Sequence, residues 1–240
     1  MKSRLCNLLI LCLILAALAV VPGYKDVKDT VGKMSASSVV VIDPGHGGMD
    51  GGAESGDGTC EKDINLKISM QLKKQLEKEG VKVIMTRKKD EGLYDESQKA
   101  AIRSLKTQDM KERKNIIDKA DADLTVSIHL NSFTQDSSVK GAQVFYPAYG
   151  DEDTVESSKS AAKTIQGNLN EVINIDKDRT ELGKSDVFLL RDVKSPIVIV
   201  ECGFLSNPDD AQNLKKSSYQ KKIVKVLKKS VCSHLSDNKS

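Results

Sequence analysis

A chain of 240 residues, 39% hydrophobic and 30% charged, has the composition of one globular domain, two at most. Its net charge is only +3, and the balance is closer still to even once the basic start is set aside, which excludes an electrostatic footprint for nucleic acid. With 4% aromatic residues and no tryptophan, it also lacks the stacking platform used to hold long sugars or single strands.

Residues 1–22 are of a different character. Lys2 and Arg4 precede a nearly continuous apolar run from Leu8 to Pro22, with Ala17-Leu18-Ala19 as a small-x-small cleavage signature. This reads as a secretory signal peptide, with an uncleaved N-terminal anchor as the alternative. Either way the body is exported across the membrane and touches membrane only through this segment. Residues 23–36 are small and polar and form a linker. Beyond the leader three cysteines remain, Cys60, Cys202 and Cys232, and an odd number makes no disulfide framework.

The body begins with a strand from Ser38 to Asp43, β-branched throughout as expected when both faces are buried. It runs into Pro44-Gly45-His46-Gly47-Gly48, which delivers one of only three histidines onto a glycine-flanked turn. A glycine-rich loop leads to a helix from Glu61, with Ile64, Ile68, Leu72 and Leu76 recurring every four residues and Gly80 as its stop. A strand over Val81–Thr86 follows. Residues 87–108 are charged and irregular and read as a surface excursion or insertion, and a short helix spans Asp109 to Ala120. Strands are then expected at Leu124–His129 and Ala142–Tyr146, followed by a helix carrying Ala161, Ile165 and Leu169 behind an acidic start at Asp151, Glu152 and Asp153. Val187–Leu190 and Ile197–Val200 complete about six strands. A last helix turns Ile223, Leu227, Val231 and Leu235 inward and a lysine face outward. Strands alternating with helices predict a single-domain α/β fold around a twisted, largely parallel sheet flanked by helices.

Ligands of open α/β sheets gather outside the carboxyl ends of the strands. His46 follows the first strand, His129 ends the third, Glu201 ends the run Pro196–Val200, and Glu61 opens the helix after the glycine loop. Two imidazoles and a carboxylate make a hydrolytic zinc shell with an open position. None of these residues sits at a helical ligand spacing, so convergence of strand ends carries the reading. Each also has a bland account: a turn histidine, a core histidine, a helix-capping carboxylate. Cys202 near a histidine leaves a cysteine hydrolase open.

Four segments, Asp43-Pro44-Gly45-His46-Gly47-Gly48, Glu61-Lys62-Asp63-Ile64-Asn65-Leu66, Ser127-Ile128-His129-Leu130-Asn131 and Val200-Glu201-Cys202-Gly203-Phe204-Leu205-Ser206-Asn207, resemble the zinc-dependent N-acetylmuramoyl-L-alanine amidases of the Amidase_3 type in order and spacing. The resemblance implies a catalytic domain over residues 37–236, with 237–240 as a tail. It implies zinc held by His46, Glu61 and His129, and Glu201 as the catalytic carboxylate. The substrate would be peptidoglycan, cut between the lactyl group of muramic acid and L-alanine. Arg191 resembles a position near the cleft and would hold a stem-peptide carboxylate; Asn131, two residues beyond His129, would support the site or a substrate amide. The single domain and leader are most similar to the germination-specific branch, which implies spore cortex as substrate, muramic-δ-lactam formation as the purpose, and the cell wall or forespore intermembrane space as the location. A three-residue shell held on loops also leaves room for an accessory protein that stabilises the metal site. The alternative outside enzymology is a non-catalytic wall-binding module on the same fold.

Overall fold

The computed structural model describes residues 38–238 except 96 and 98–100; the leader, the linker and the last two residues lie outside them. Among the described residues six strands form one sheet: β1 (Val39–Pro44), β2 (Lys82–Met85), β3 (Leu124–Asn131), β4 (Gln143–Pro147), β5 (Leu182–Lys184) and β6 (Ile197–Phe204). Six helices accompany them: α1 (Glu61–Lys78), α2 (Ile102–Ala120), α3 (Glu152–Val172), α4 (Phe188–Asp192), α5 (Pro208–Leu214) and α6 (Ser217–Asp237). None of the described helices is long and apolar enough to cross a membrane.

The sheet order is β2-β1-β3-β6-β4-β5. Neighbours β2, β1, β3 and β6 run parallel, β4 lies antiparallel to β6, and β5 runs parallel to β4. The expected largely parallel α/β sheet is therefore present. Each strand sends alternate residues to opposite faces. Val40, Ile42, Val126, Ile128, Val198 and Val200 meet α1, α3 and α6 on one side. Val41, Ile197 and Ile199 meet Ile117 of α2 and Leu189 and Leu190 of α4 on the other. The four-residue periodicities point where the sequence predicts: Ile64, Ile68, Leu72 and Leu76 of α1 and Ile223, Leu227, Val231 and Leu235 of α6 are all buried. Asp151 caps α3 by accepting from the Thr154 amide, 3.0 Å away.

Four local expectations change. Val187–Leu190 is not a strand: Phe188–Asp192 is helix α4, and the edge position beside β4 is taken by Leu182–Lys184. A four-residue apolar run fits either structure, and packing against β4 and β6 decides for helix. Helix α2 starts at Ile102, so the back of the expected 87–108 excursion is helical, and its front packs inward on the His46 turn. Helix α5 was unforeseen, although Asn207-Pro208 is a cap followed by a helix-starting proline, and Asn207 Oδ1 accepts from the Asp210 amide. Finally, β6 continues past Glu201 to Phe204.

Between the pairs His129–Glu201 and Asn131–Phe204, β3 advances two residues and β6 three, a bulge. Gly203 sits within it at φ +150°, with Asp210 and Leu214 against the place a Cβ would fill. Gly203→Ala should therefore destabilise the fold by about 1–3 kcal/mol, read as a lower urea midpoint. An unchanged midpoint would show that the bulge tolerates a side chain.

Candidate metal and catalytic centre

Because β1, β3 and β6 are adjacent and parallel, their carboxyl ends share one edge, and the three expected ligand residues meet there. Gly47 and Asp50 exchange backbone hydrogen bonds of 2.9 and 3.1 Å, closing a tight turn immediately after His46. His46 itself stands in the left-handed region, at φ +60°. Glu61, first residue of α1, is buried beneath it. Its Oε2 lies 3.2 Å from His46 Nε2 and accepts from the Ala53 amide at 2.8 Å. Its Oε1 lies 3.0 Å from His129 Nδ1 and accepts from the Leu130 amide and from Asn65 Nδ2. One potential ligand atom from each of His46, Glu61 and His129 lies within 4.8 Å of the others. The imidazoles meet edge to face, with ring centroids 5.0 Å apart.

Close backbone approach makes this possible. A Cβ on Gly45 would fall 2.3 Å from the His129 ring, and one on Gly52 would fall 2.5 Å from Glu61 Oε2. Two imidazoles and a carboxylate held in such a cradle suit a divalent transition metal.

Asp50, four residues after His46, accepts on the other side of the ring, with Oδ2 2.9 Å from His46 Nδ1; its Oδ1 meets Lys106 at 2.8 Å. Burial opposes charge on His46, but the hydrogen bonds to Asp50 and Glu61 outweigh it and raise its pKa to about 9. Without metal the ring is an imidazolium between two carboxylates. Glu61 is pushed up by burial, yet the two histidines more than reverse this and hold it well below the usual carboxylate range.

Glu201 lies opposite His129 in the β3–β6 register. Burial, aided by the Glu61 carboxylate and opposed by the two imidazoles, pushes its pKa up to about 7. Its Oε2 is buried with no hydrogen-bond partner. A buried carboxyl oxygen without a partner is costly, and a carboxyl whose pKa is shifted this way is a candidate functional group.

Residues 40–233 match the N-acetylmuramoyl-L-alanine amidase family, Amidase_3. The chain belongs to this family. It is 34% identical over 204 residues to the germination-specific N-acetylmuramoyl-L-alanine amidase of Bacillus subtilis, a match covering 84% of this chain and 81% of the relative. The fold is similar to that of the CwlD amidase of Clostridioides difficile, solved in complex with the GerS lipoprotein: TM-score 0.78, 38% identity, 84% of this chain and 100% of that one. An N-acetylmuramoyl-L-alanine amidase from Clostridium difficile 630 follows at TM-score 0.70 and 29% identity, covering 84% and 98%.

The amidase holds the His46 turn through residues to which the sequence analysis gave no role, among them Arg87 and Arg113. Asp43 is fully buried and accepts from Arg113 and Thr86 at 2.6 Å and from Ser127 at 2.7 Å. Burial would raise its pKa, but the Arg113 guanidinium and these hydroxyls prevail and hold it at about 2. Arg113 also donates to Asp109 and to the carbonyls of Pro44 and His46. Arg87 donates to the carbonyls of Pro44, Gly45, Lys62 and Lys89. Asp50 was visible as the carboxylate four residues past His46 in a glycine loop. Arg113 was visible one turn after Asp109 and one turn before Ile117, on an inward face.

The remaining expected residues are not among the three clustered side chains. Arg191 is exposed on α4, where it pairs with Asp192 and lies over the Phe188 ring at 5.8 Å. Asn131 sits at the far end of β3 beyond the bulge, its side chain accepting from the Ser132 amide. Cys202 points into the apolar core on the opposite face from Glu201, fully buried, and burial pushes its thiol far above the usual range. That thiol cannot serve as an exposed nucleophile. Cys60, beside Glu61, stays out of the cluster.

The raised pKa of His46 has a testable sign. In chelator-treated protein its stabilising contribution is complete below the unfolded value of about 6.5 and is lost as pH rises through about 9. The difference in urea midpoint between wild type and Asp50→Asn should therefore shrink from about pH 6 to about pH 10. A difference independent of pH would mean that Asp50 does not hold a charged His46.

Proposed function

We propose that the chain is an exported zinc amidase that removes stem peptides from spore-cortex peptidoglycan, with His46, Glu61 and His129 as the metal ligands and Glu201 as the catalytic carboxylate. The observation that carries the reading is Glu201: a buried carboxyl oxygen without a partner, in register with a histidine of the cluster. Bound zinc supplies Lewis acidity, acidifying water and polarising a carbonyl. Glu201 Oε2 takes a proton as water adds to the lactyl carbonyl carbon. It returns that proton to the departing amine as the carbon–nitrogen bond to L-alanine breaks. The products are a free lactyl carboxylate and a stem peptide with a free amino terminus. Where cortex processing follows, that carboxylate is the group a muramic δ-lactam needs.

Asp50 fixes the tautomer and orientation of His46 from behind, as carboxylates do behind metal-bound histidines. Uptake of a cation displaces the His46 proton, so apparent affinity should rise with pH toward about 9. Arg191, with its face open to solvent, would meet a stem-peptide carboxylate by exchanging its Asp192 partner, and Asn131 would meet a substrate amide. Export rests on the leader at residues 1–22 and fits relatives named as cell-wall amidases. An exported accessory protein that stiffens the ligand shell belongs to the same reading, in keeping with the lipoprotein complex of the Clostridioides difficile amidase. A wall-binding module is disfavoured, since binding alone gives no reason to keep Glu201 buried and unpaired.

The purified protein should hold about one zinc per chain by elemental analysis. Mass spectrometry of muropeptides should show stem release by wild type and, for Glu201→Gln, zinc retained with release reduced by about 100-fold or more. Cys202→Ser should be silent in the same assay. Active protein that is consistently free of metal, or an active Glu201→Gln, would overturn the mechanism.

A further inference from the structure

A non-glycine residue in the left-handed region persists only where its surroundings over-determine it. His46 is such a residue, and what surrounds its backbone is unusual. The carbonyls of Pro44, Gly45 and His46 are gripped in succession by two guanidinium groups, each only 2% exposed. Arg113 Nη2 reaches the His46 carbonyl at 2.6 Å, its Nη1 the Pro44 carbonyl at 2.8 Å; Arg87 reaches Pro44 and Gly45 at 2.9 Å each. Asn65 adds a contact to the Gly45 carbonyl and another to Glu61.

These side chains come from three separate places. Asn65 lies on α1, Arg87 follows β2, and Arg113 lies on α2. Asp109 seats Arg113 at 2.6 Å and accepts from the Leu93 amide at 2.7 Å, so the 87–95 segment is tied to the same point. That segment also meets the turn directly, through Asp90 to the Gly48 amide and Tyr94 to the Met49 amide.

We propose that Arg87 and Arg113 are positioning residues for the metal cluster, holding residues 44–46 in the one backbone conformation that delivers His46 and thereby setting how tightly the cluster takes zinc. The inference rests on the zinc reading above. A fork of fixed donors is what the geometry uses; a lysine keeps the charge but reaches one carbonyl in place of several.

The test is a competitive zinc titration on wild type, Arg87→Lys, Arg113→Lys and Asp109→Asn, with urea denaturation of each in chelator. The control is Leu235→Ala, a cavity in α6 remote from the turn. The two lysine variants should bind zinc about 10- to 100-fold more weakly, and Asp109→Asn, which loosens Arg113 without removing it, several-fold more weakly. Leu235→Ala should lose stability and keep wild-type affinity. Wild-type zinc affinity in folded lysine variants would overturn the proposal, as would an equal loss in Leu235→Ala. If a lysine variant fails to fold, Asp109→Asn decides in its place. A wild type that takes no zinc would defeat the zinc reading itself.

Discussion

The site depends on a buried ion pair that does no chemistry. Asp43 and Arg113 meet at 2.6 Å beneath the sheet edge, one fully buried and the other nearly so. Isolated, either charge would be expensive to bury. Together, with Thr86, Ser127 and Asp109 completing the partners, they join β1, the residue after β2, β3 and α2 at one point. Such a pair adds little net stability, but breaking it leaves an uncompensated charge, so it enforces one arrangement. That arrangement orients the carbonyls from which His46 hangs.

Around this point the molecule separates two kinds of polar group. Glu61 is saturated: both oxygens are occupied by ring nitrogens, backbone amides and Asn65, and its charge is secured. Glu201, one strand over, has a buried Oε2 without a partner, and burial lifts its pKa to about 7. Two glutamates at one edge thus acquire opposite characters from their surroundings alone. Those characters fit the roles proposed for them, since a ligand needs a fixed negative charge and a proton carrier a pKa near the working pH.

Much of this was legible in the chain. Apolar runs placed β1, β3 and β6, four-residue spacing placed α1, α3 and α6, and the glycine-flanked histidine marked the turn. Where local signals were ambiguous, packing decided. Phe188-Leu189-Leu190 suits a strand or a helix, and it became a helix because β5 fills the sheet edge while α4 covers Val41, Ile197 and Ile199. The charged stretch 87–108 looked like solvated surface because charge normally is. Arg87 is the exception there, and Arg113 is another buried charge in the helix that follows; both are buried because backbone carbonyls absorb their donors.

The sequence by itself determined which residue types reach the carboxyl edge of the sheet, since strand ends and helix starts follow from periodicity and breakers. His46, His129, Glu61 and Glu201 were therefore nameable in advance. Only the tertiary structure decided which carboxylate is held charged and which is left unpaired, and which arginines vanish into the interior. Those outcomes depend on distances between segments far apart in the chain, and electrostatics in a buried site depends on every neighbour at once. No local pattern encodes that sum.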